Sequence, residues 1–392
     1  MSLSVDLNAS LPSCNYNTDL YSKEQLAIRT FALVPIVIFG VVSNVINIAI
    51  FCQKQLRAML VNWFLLAMSI SDLLLLVCSF CMFSLPALAE MWNNVMVIEF
   101  SLSVMRWLYP FGTMVQTFNV YLTVLISINR YLGVCHPFRA RTWVSKRAIG
   151  LSIWSALVFA VSFNATRFAE MRLIDCWSHV YSKVSTIMSP SPLLANRVYF
   201  VGYYVAAYSV VMFVIPFPVL IVATVLIITT LRAASVRRKK IAGGQSQRTL
   251  SQSEQNEIST TLMLLAVVGM FLSCNLFAFV NNVVDIFIQF DIIESPTFKR
   301  YFTTLIEVGN LMVAVNSAAT IFIYVSFSSG YRTVFYKWFK CQKRLKPITQ
   351  QQPEAENLLS NGRRKSLRCR RKMLGSTSWP SSKRASAANW QS

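Results

Sequence analysis

Tyr121-Leu-Thr-Val-Leu-Ile-Ser-Ile-Asn-Arg-Tyr-Leu-Gly-Val-Cys-His-Pro-Phe-Arg-Ala140 opens as a near-continuous apolar run and then sets one guanidinium, Arg130, at its end. Arginine keeps its charge at any physiological pH, and in hydrocarbon that charge is expensive unless paired or hydrated. The stretch therefore reads as a membrane helix reaching water at Arg130, followed by Tyr131 and a short basic loop. A snorkelling arginine would satisfy the same pattern. The rest of the chain decides between them.

Of 392 residues, 55% are hydrophobic and only 14% charged, where soluble domains carry about 25% charge. The apolar residues are bunched into runs of the ~20 residues that cross a bilayer. The net charge of +21 would suit a nucleic-acid binder, but it is concentrated at one end. From Arg332 onward there are 15 Lys and Arg against two acids, Glu354 and Glu356. The bias is topological, and nucleic acid is excluded as a partner. No nucleophile–base pair or metal triad is visible, so an enzyme is not expected. Among nine cysteines, Cys52, Cys78, Cys81, Cys135 and Cys274 lie in or beside apolar runs and read as buried small hydrophobes.

Residues 1–30 are a polar leader with a glycosylation acceptor at Asn8 (Asn8-Ala-Ser10). They lack the basic start and apolar core of a cleavable signal peptide, so the first span is expected to act as an uncleaved signal. Spans follow at about 31–52, 61–84, 104–134, 148–168, 198–231, 257–288 and 301–325. A polar segment over 169–197 holds Cys176, and 232–256 is basic and rich in Gln, Ser and Gly. From Phe327 to Cys341 aromatic and basic residues recur at helical spacing, as in a helix lying in the membrane interface. The expected fold is an all-α membrane protein: an extracellular leader (1–30), a seven-transmembrane helix bundle (31–325), a short amphipathic helix (326–341) and a disordered basic cytoplasmic tail (342–392). With the leader outside, the inner loops hold 12 Lys and Arg and the outer loops fewer, as the positive-inside rule requires.

In order and spacing, Asn44, Asp72, Asn129-Arg-Tyr131, Trp154, Pro216 and Tyr324 resemble the rhodopsin-like (class A) G-protein-coupled receptors over about residues 31–341. Within that family Tyr109-Pro110, Gln116-Thr117, Phe163-Asn-x-x-Arg-Phe-x-Glu170, Cys274-Asn275 and Asn316-Ser317 look like invertebrate FMRFamide-type neuropeptide receptors. The resemblance implies a multi-pass plasma-membrane receptor, activated by an extracellular peptide and signalling to a heterotrimeric G protein. A small-molecule chemoreceptor on the same scaffold stands as the alternative. The chain also departs from the family. Asn129 replaces the acid before the span-3 arginine, and Met105 stands where a cysteine is usual. Span 6 reads Cys274-Asn-Leu-Phe277 and span 7 reads Thr320-Ile-Phe-Ile-Tyr324 in place of the usual motifs.

The resemblance assigns the coupling switch to Asn129, Arg130, Tyr131, Glu257 and Tyr324. It places Asn44, Asn119, Asn316 and Ser317 around Asp72, as a neutral hydrogen-bonded network or as oxygen ligands for a sodium ion; no other cofactor is expected. An Arg-Phe-amide ligand would need a carboxylate for its guanidinium and aromatics for its ring. Glu170, Asp175, Asp285 and Glu307 are the candidate acids. Tyr109, Phe111, Tyr203 and Tyr204 are the candidate aromatics, with Gln116 as the polar contact on span 3. Cys14 and Cys176 are expected to form a disulfide, and Cys341 is a palmitoylation candidate.

Overall fold

The computed structural model describes residues 21–92, 94–178, 183–241 and 252–343. Seven helices are long and apolar enough to cross a membrane: Lys23–Phe51, Val61–Met91, Met96–Cys135, Lys146–Ala169, Arg197–Arg237, Ile258–Gln289 and Pro296–Phe327, spans 1 to 7. Span 1 starts about a turn and a half earlier than its apolar run. Ser22 explains this: its hydroxyl accepts from the Gln25 amide while Gln25 reaches back to the Ser22 amide, a capping box. Outward-facing Phe31, Leu151, Trp154, Val214 and Phe322 are exposed, as side chains facing lipid tails are. The helices keep their backbone polar groups bonded internally, which hydrocarbon demands.

The spans are not uniform α-helix. Wider π-helical segments occur at Ile28–Ala32, Phe80–Ser84 and Val210–Val214. Each lies within a turn before a proline: Pro35, Pro86 and Pro216. Proline lacks an N–H and its ring crowds the carbonyl one turn back, so the preceding turn opens to i→i+5 spacing. One freed carbonyl is re-used, since the Ser84 hydroxyl donates to Arg29 O.

Two apolar clusters fill the bundle. The inner one joins Leu65, Leu122, Ile126, Met263, Leu264 and Tyr324. The other gathers Val120, Met212, Phe213, Leu220, Val268 and Phe271. Spans 1, 2 and 7 come closest at Gly40, where a Cβ would stand 2.6 Å from Leu76 Cδ1 and 2.8 Å from Ala318 Cβ. Only glycine fits there.

Two features went beyond the apolar pattern. The segment after span 4 is an antiparallel hairpin, Met171–Ser178 (β1) with Lys183–Pro190 (β2), in the register Cys176↔Ser185. The Ser185 hydroxyl donates to Glu99 Oε1 at 2.9 Å, docking the hairpin on span 3. After span 7, the helix Ser329–Lys343 turns its Tyr331 inward, 1% exposed. One expectation fails: Cys52 is exposed rather than buried. It follows the last helical residue of span 1, at the water-facing turn.

Candidate functional site

A cavity of about 430 Å³ opens between spans 2, 3, 5, 6 and 7, with the end of span 4 forming part of its wall. Its floor is apolar, with Leu75, Cys78 and Met82 of span 2. Its polar lining is Gln116, Asn281, Asn282, Gln289 and Asn310. Only two charged side chains line it, Arg167 and Asp285. Asn281, Asp285 and Gln289 are spaced by four on span 6, so they share one helix face. Asn281 is pinned by donating to Leu305 O at 3.0 Å, and Asn282 accepts from the Ser209 hydroxyl at 2.7 Å.

Arg167 closes the span-4 end. The helix tightens there to a 3-10 turn over Ala165–Ala169, and with three residues per turn positions i and i+3 eclipse. Asn164, Arg167 and Glu170 therefore stack in a row. Arg167 Nε donates to Asn164 Oδ1 at 3.2 Å, Nη1 to the Tyr109 hydroxyl at 2.7 Å, and Nη1 to Glu170 Oε2 at 3.5 Å. The rings of Tyr109, Tyr203, Tyr204 and Tyr208 surround its guanidinium at 4.9–5.8 Å, within cation–π range.

The four candidate acids separate in space. Glu170 is fully buried, held by Arg167 and by the Tyr199 hydroxyl at 2.8 Å. Glu307 is 4% exposed and accepts from Arg29 Nη2 at 2.5 Å, across the outer ends of spans 1 and 7. The Tyr21 ring caps that arginine at 4.2 Å, and burial pushes the Tyr21 phenol up from its ordinary value. Asp175 is exposed on β1, bonded to the Thr186 hydroxyl at 3.2 Å. Asp285 alone faces the cavity, half-buried, with Gln289 at a long 3.5 Å and no ion pair among the described residues. Of the aromatics, Tyr109 and Tyr204 line the cavity. Tyr203 sits behind it with its hydroxyl on Phe163 O, and Phe111 is exposed. Gln116 is on the lining. Arg167, Tyr208 and the Asn281–Asn282 pair were not foreseen as site residues. The i,i+3 spacing of Arg167 and Glu170 was the available signal for the first.

Below the cavity, Asp72 Oδ1 accepts from Asn119 Nδ2 at 2.6 Å. Asn44 Nδ2 donates to Gly40 O and Ser317 O, both at 2.9 Å. Asn316 is buried beside Ser317. The cluster extends further than foreseen: Asn47 Nδ2 is 3.5 Å from Thr320 Oγ1, and Asn47 Oδ1 accepts from the Tyr331 hydroxyl at 2.6 Å. Asp72 Oδ2 and Ser317 Oγ are buried without a hydrogen bond among the described residues.

At the inner end, Asn129 and Arg130 are half-buried, and Arg130 interacts with a group outside those described. The Tyr131 hydroxyl meets His136 Nε2 at 3.1 Å, and Tyr324 is fully buried against Phe51 and Tyr331. Glu257 lies on the helix Gln252–Gln289, its side chain outside the described ones. Asn8, Cys14 and the side chain of Cys341 also lie outside them. Cys176 is disulfide-bonded and fully buried, to a partner beyond the described residues.

Seven spans, an outer cavity and a buried polar core define a heptahelical membrane receptor. The sequence profile of the serpentine-type 7TM GPCR chemoreceptors, Srw, matches residues 32–342. The chain belongs to the rhodopsin-like G-protein-coupled receptors and is a receptor, not an enzyme. It is 32% identical to the FMRFamide peptide receptor frpr-18 of Caenorhabditis elegans, over 79% of this chain and 68% of that one. It is 26% identical to the FMRFamide receptor of Drosophila melanogaster, over 76% of this chain but only 51% of that receptor's length. Identity to the somatostatin receptor type 2 of Sus scrofa is 22%, over 86% and 84% of the two chains.

Proposed function

We propose that this receptor sits in the plasma membrane with its leader outside, binds an extracellular Arg-Phe-amide neuropeptide and signals to a heterotrimeric G protein. The observation that carries the reading is the acid left open on the cavity wall. Asp285 faces the cavity without an ion pair among the described residues, whereas Glu170 and Glu307 are each held by an arginine. A ligand guanidinium fits that vacancy in charge and in hydrogen bonding. Tyr204 and Tyr208 on the same lining offer ring faces to a phenyl group. Two relatives are named for FMRFamide, which favours a peptide over the small molecule implied by the Srw description. The excess of Lys and Arg in the 53–60, 135–147 and 232–256 loops favours the orientation.

Inside the bundle, Asp72 and Ser317 present buried oxygens without hydrogen bonds among the described residues. That suits a hard cation such as sodium. Replacing sodium by choline should lower the melting temperature of the purified receptor, and Asp72→Asn should remove the difference. The inner face, with Arg130, Tyr131, Glu257 and Tyr324, would meet the G protein, and Cys341 would carry the lipid anchor. A glycan at Asn8 belongs to the same orientation.

The test is a concentration–response screen of amidated peptides on cells expressing the receptor, read by calcium or cAMP. Phe-Met-Arg-Phe-amide or a longer Arg-Phe-amide should activate it. Asp285→Asn leaves a guanidinium without its counter-charge, a loss of about 2–5 kcal/mol, so potency should fall at least tenfold. Normal potency in that variant, at equal surface number, would remove Asp285 from the site.

A further inference from the structure

The cavity has a second charged wall that the reading above leaves unused. We infer that Arg167 is a ligand-binding residue, and that its pairing with Glu170 makes the site select a peptide with a blocked, neutral C-terminus over a free carboxylate. This rests on the cavity being a peptide site.

Arg167 is 3% exposed yet lines the cavity. Its Nε and Nη1 are taken up by Asn164, Tyr109 and Glu170, while Nη2 makes no hydrogen bond among the described residues. A guanidinium held on two nitrogens and ringed by four tyrosines is fixed in position. Its remaining donor is pre-set for an acceptor on the ligand. A structural arginine would need only the inner partners; this one also forms part of the wall.

The kind of acceptor follows from the charges behind the wall. Glu170 stands 3.5 Å from Nη1 and does not line the cavity. A ligand atom reaching Arg167 therefore meets a donor whose charge is already balanced. The other charge on the lining is Asp285. Tyr204, which also lines the cavity, lies within electrostatic reach of both Arg167 and Asp285. The three groups sum to one negative charge, matched by a ligand carrying one guanidinium and no carboxylate. A free carboxylate would enter against Glu170 and Asp285 in a site walled by tyrosine rings, where like charges are poorly screened. An amide oxygen accepts from Nη2 without that repulsion.

The experiment compares Phe-Met-Arg-Phe-amide with Phe-Met-Arg-Phe free acid on the full-length receptor in cells. The quantity read is the ratio of the two potencies within each variant. Expression and general misfolding scale both peptides together, so only a contact with the C-terminus moves the ratio. The wild type should prefer the amide at least 100-fold. Glu170→Gln leaves Arg167 as an unbalanced cation, and the free acid should gain at least tenfold relative to the amide. The double variant Arg167→Gln/Glu170→Gln removes the pair without leaving a buried charge. It should lose at least tenfold in amide potency, with no gain for the acid. An unchanged or widened ratio in Glu170→Gln, with the amide still active, overturns the inference and leaves the peptide reading intact. So does wild-type amide potency in the double variant, which carries the test alone if the single variant stays off the surface. Silence of the wild type toward the amide and every other amidated peptide sinks the peptide reading, and this inference with it.

Discussion

Tyr331 shows how much one hydroxyl can carry. Its ring packs on Phe51 and Tyr324, and its OH donates to the buried Asn47 at 2.6 Å. Tyr331→Phe keeps the ring but leaves Asn47 Oδ1 without that donor, at about 1–3 kcal/mol. The purified receptor should melt at least 2 °C lower by a roughly scaled estimate; an unshifted melting curve would show that the hydroxyl is idle. The same scale governs the inner end of span 3, where Asn129 stands beside Arg130. A carboxylate there would hold the guanidinium inward, so Asn129→Asp should lower agonist-free signalling and Glu257→Ala should raise it. Basal signalling per surface receptor is the measurement, and no change in either variant would dismiss an acidic clamp. Single residues were also where the sequence was hardest to read. The acids near the outer ends of the spans were visible, but Glu307 and Arg29 are 278 positions apart. A pairing made only by folding leaves no local spacing to find. Arg167 and Glu170, three apart, did leave one.

Among the elements, the spans were legible because a bilayer imposes length and hydropathy on each of them. The hairpin was not. Eight-residue strands with polar residues interspersed (Met171–Ser178, Lys183–Pro190) resemble any outer loop until they pair. The prolines were visible too, though not the widened turns before them. That of span 5, Val210–Val214, sits just below Tyr204 and Tyr208 on the cavity lining. Restoring α-helical spacing there would rotate the outer part of the span by roughly 100° per residue taken up. Pro216→Ala should therefore cut agonist potency about tenfold without changing surface number. Unaltered potency would show that the π segment holds without its proline. Where spans 1, 2 and 7 touch, Gly40→Val would force atoms into space already filled by Leu76 and Ala318. Overpacking of this kind costs about 1–3 kcal/mol, and surface expression measured by cytometry should fall clearly below wild type.

For the whole molecule, the outer face is held by the hairpin and the buried, disulfide-bonded Cys176. Cys52, Cys78, Cys81, Cys135 and Cys274 are free, which leaves Cys14 as the partner we propose on the oxidising side. If the two share one bond, Cys14→Ser and Cys176→Ser should destabilise the receptor equally, by about 2–4 kcal/mol, and the double variant no further. Additive losses in melting temperature would separate them. The contacts of span 7 have another consequence. At its outer end Glu307 grips Arg29, at mid-depth the Ser317 carbonyl takes the Asn44 amide, and beyond its inner end Tyr331 reaches Asn47. The last span is thus fastened to the first at three depths, and the circle of helices closes through side chains. Covalent continuity between Ile241 and Gln252 is then dispensable for assembly. Spans 1–5 and spans 6–7, made as two separate polypeptides in one cell, should find each other in the bilayer and bind ligand, because independently inserted helices associate through packing and polar contacts.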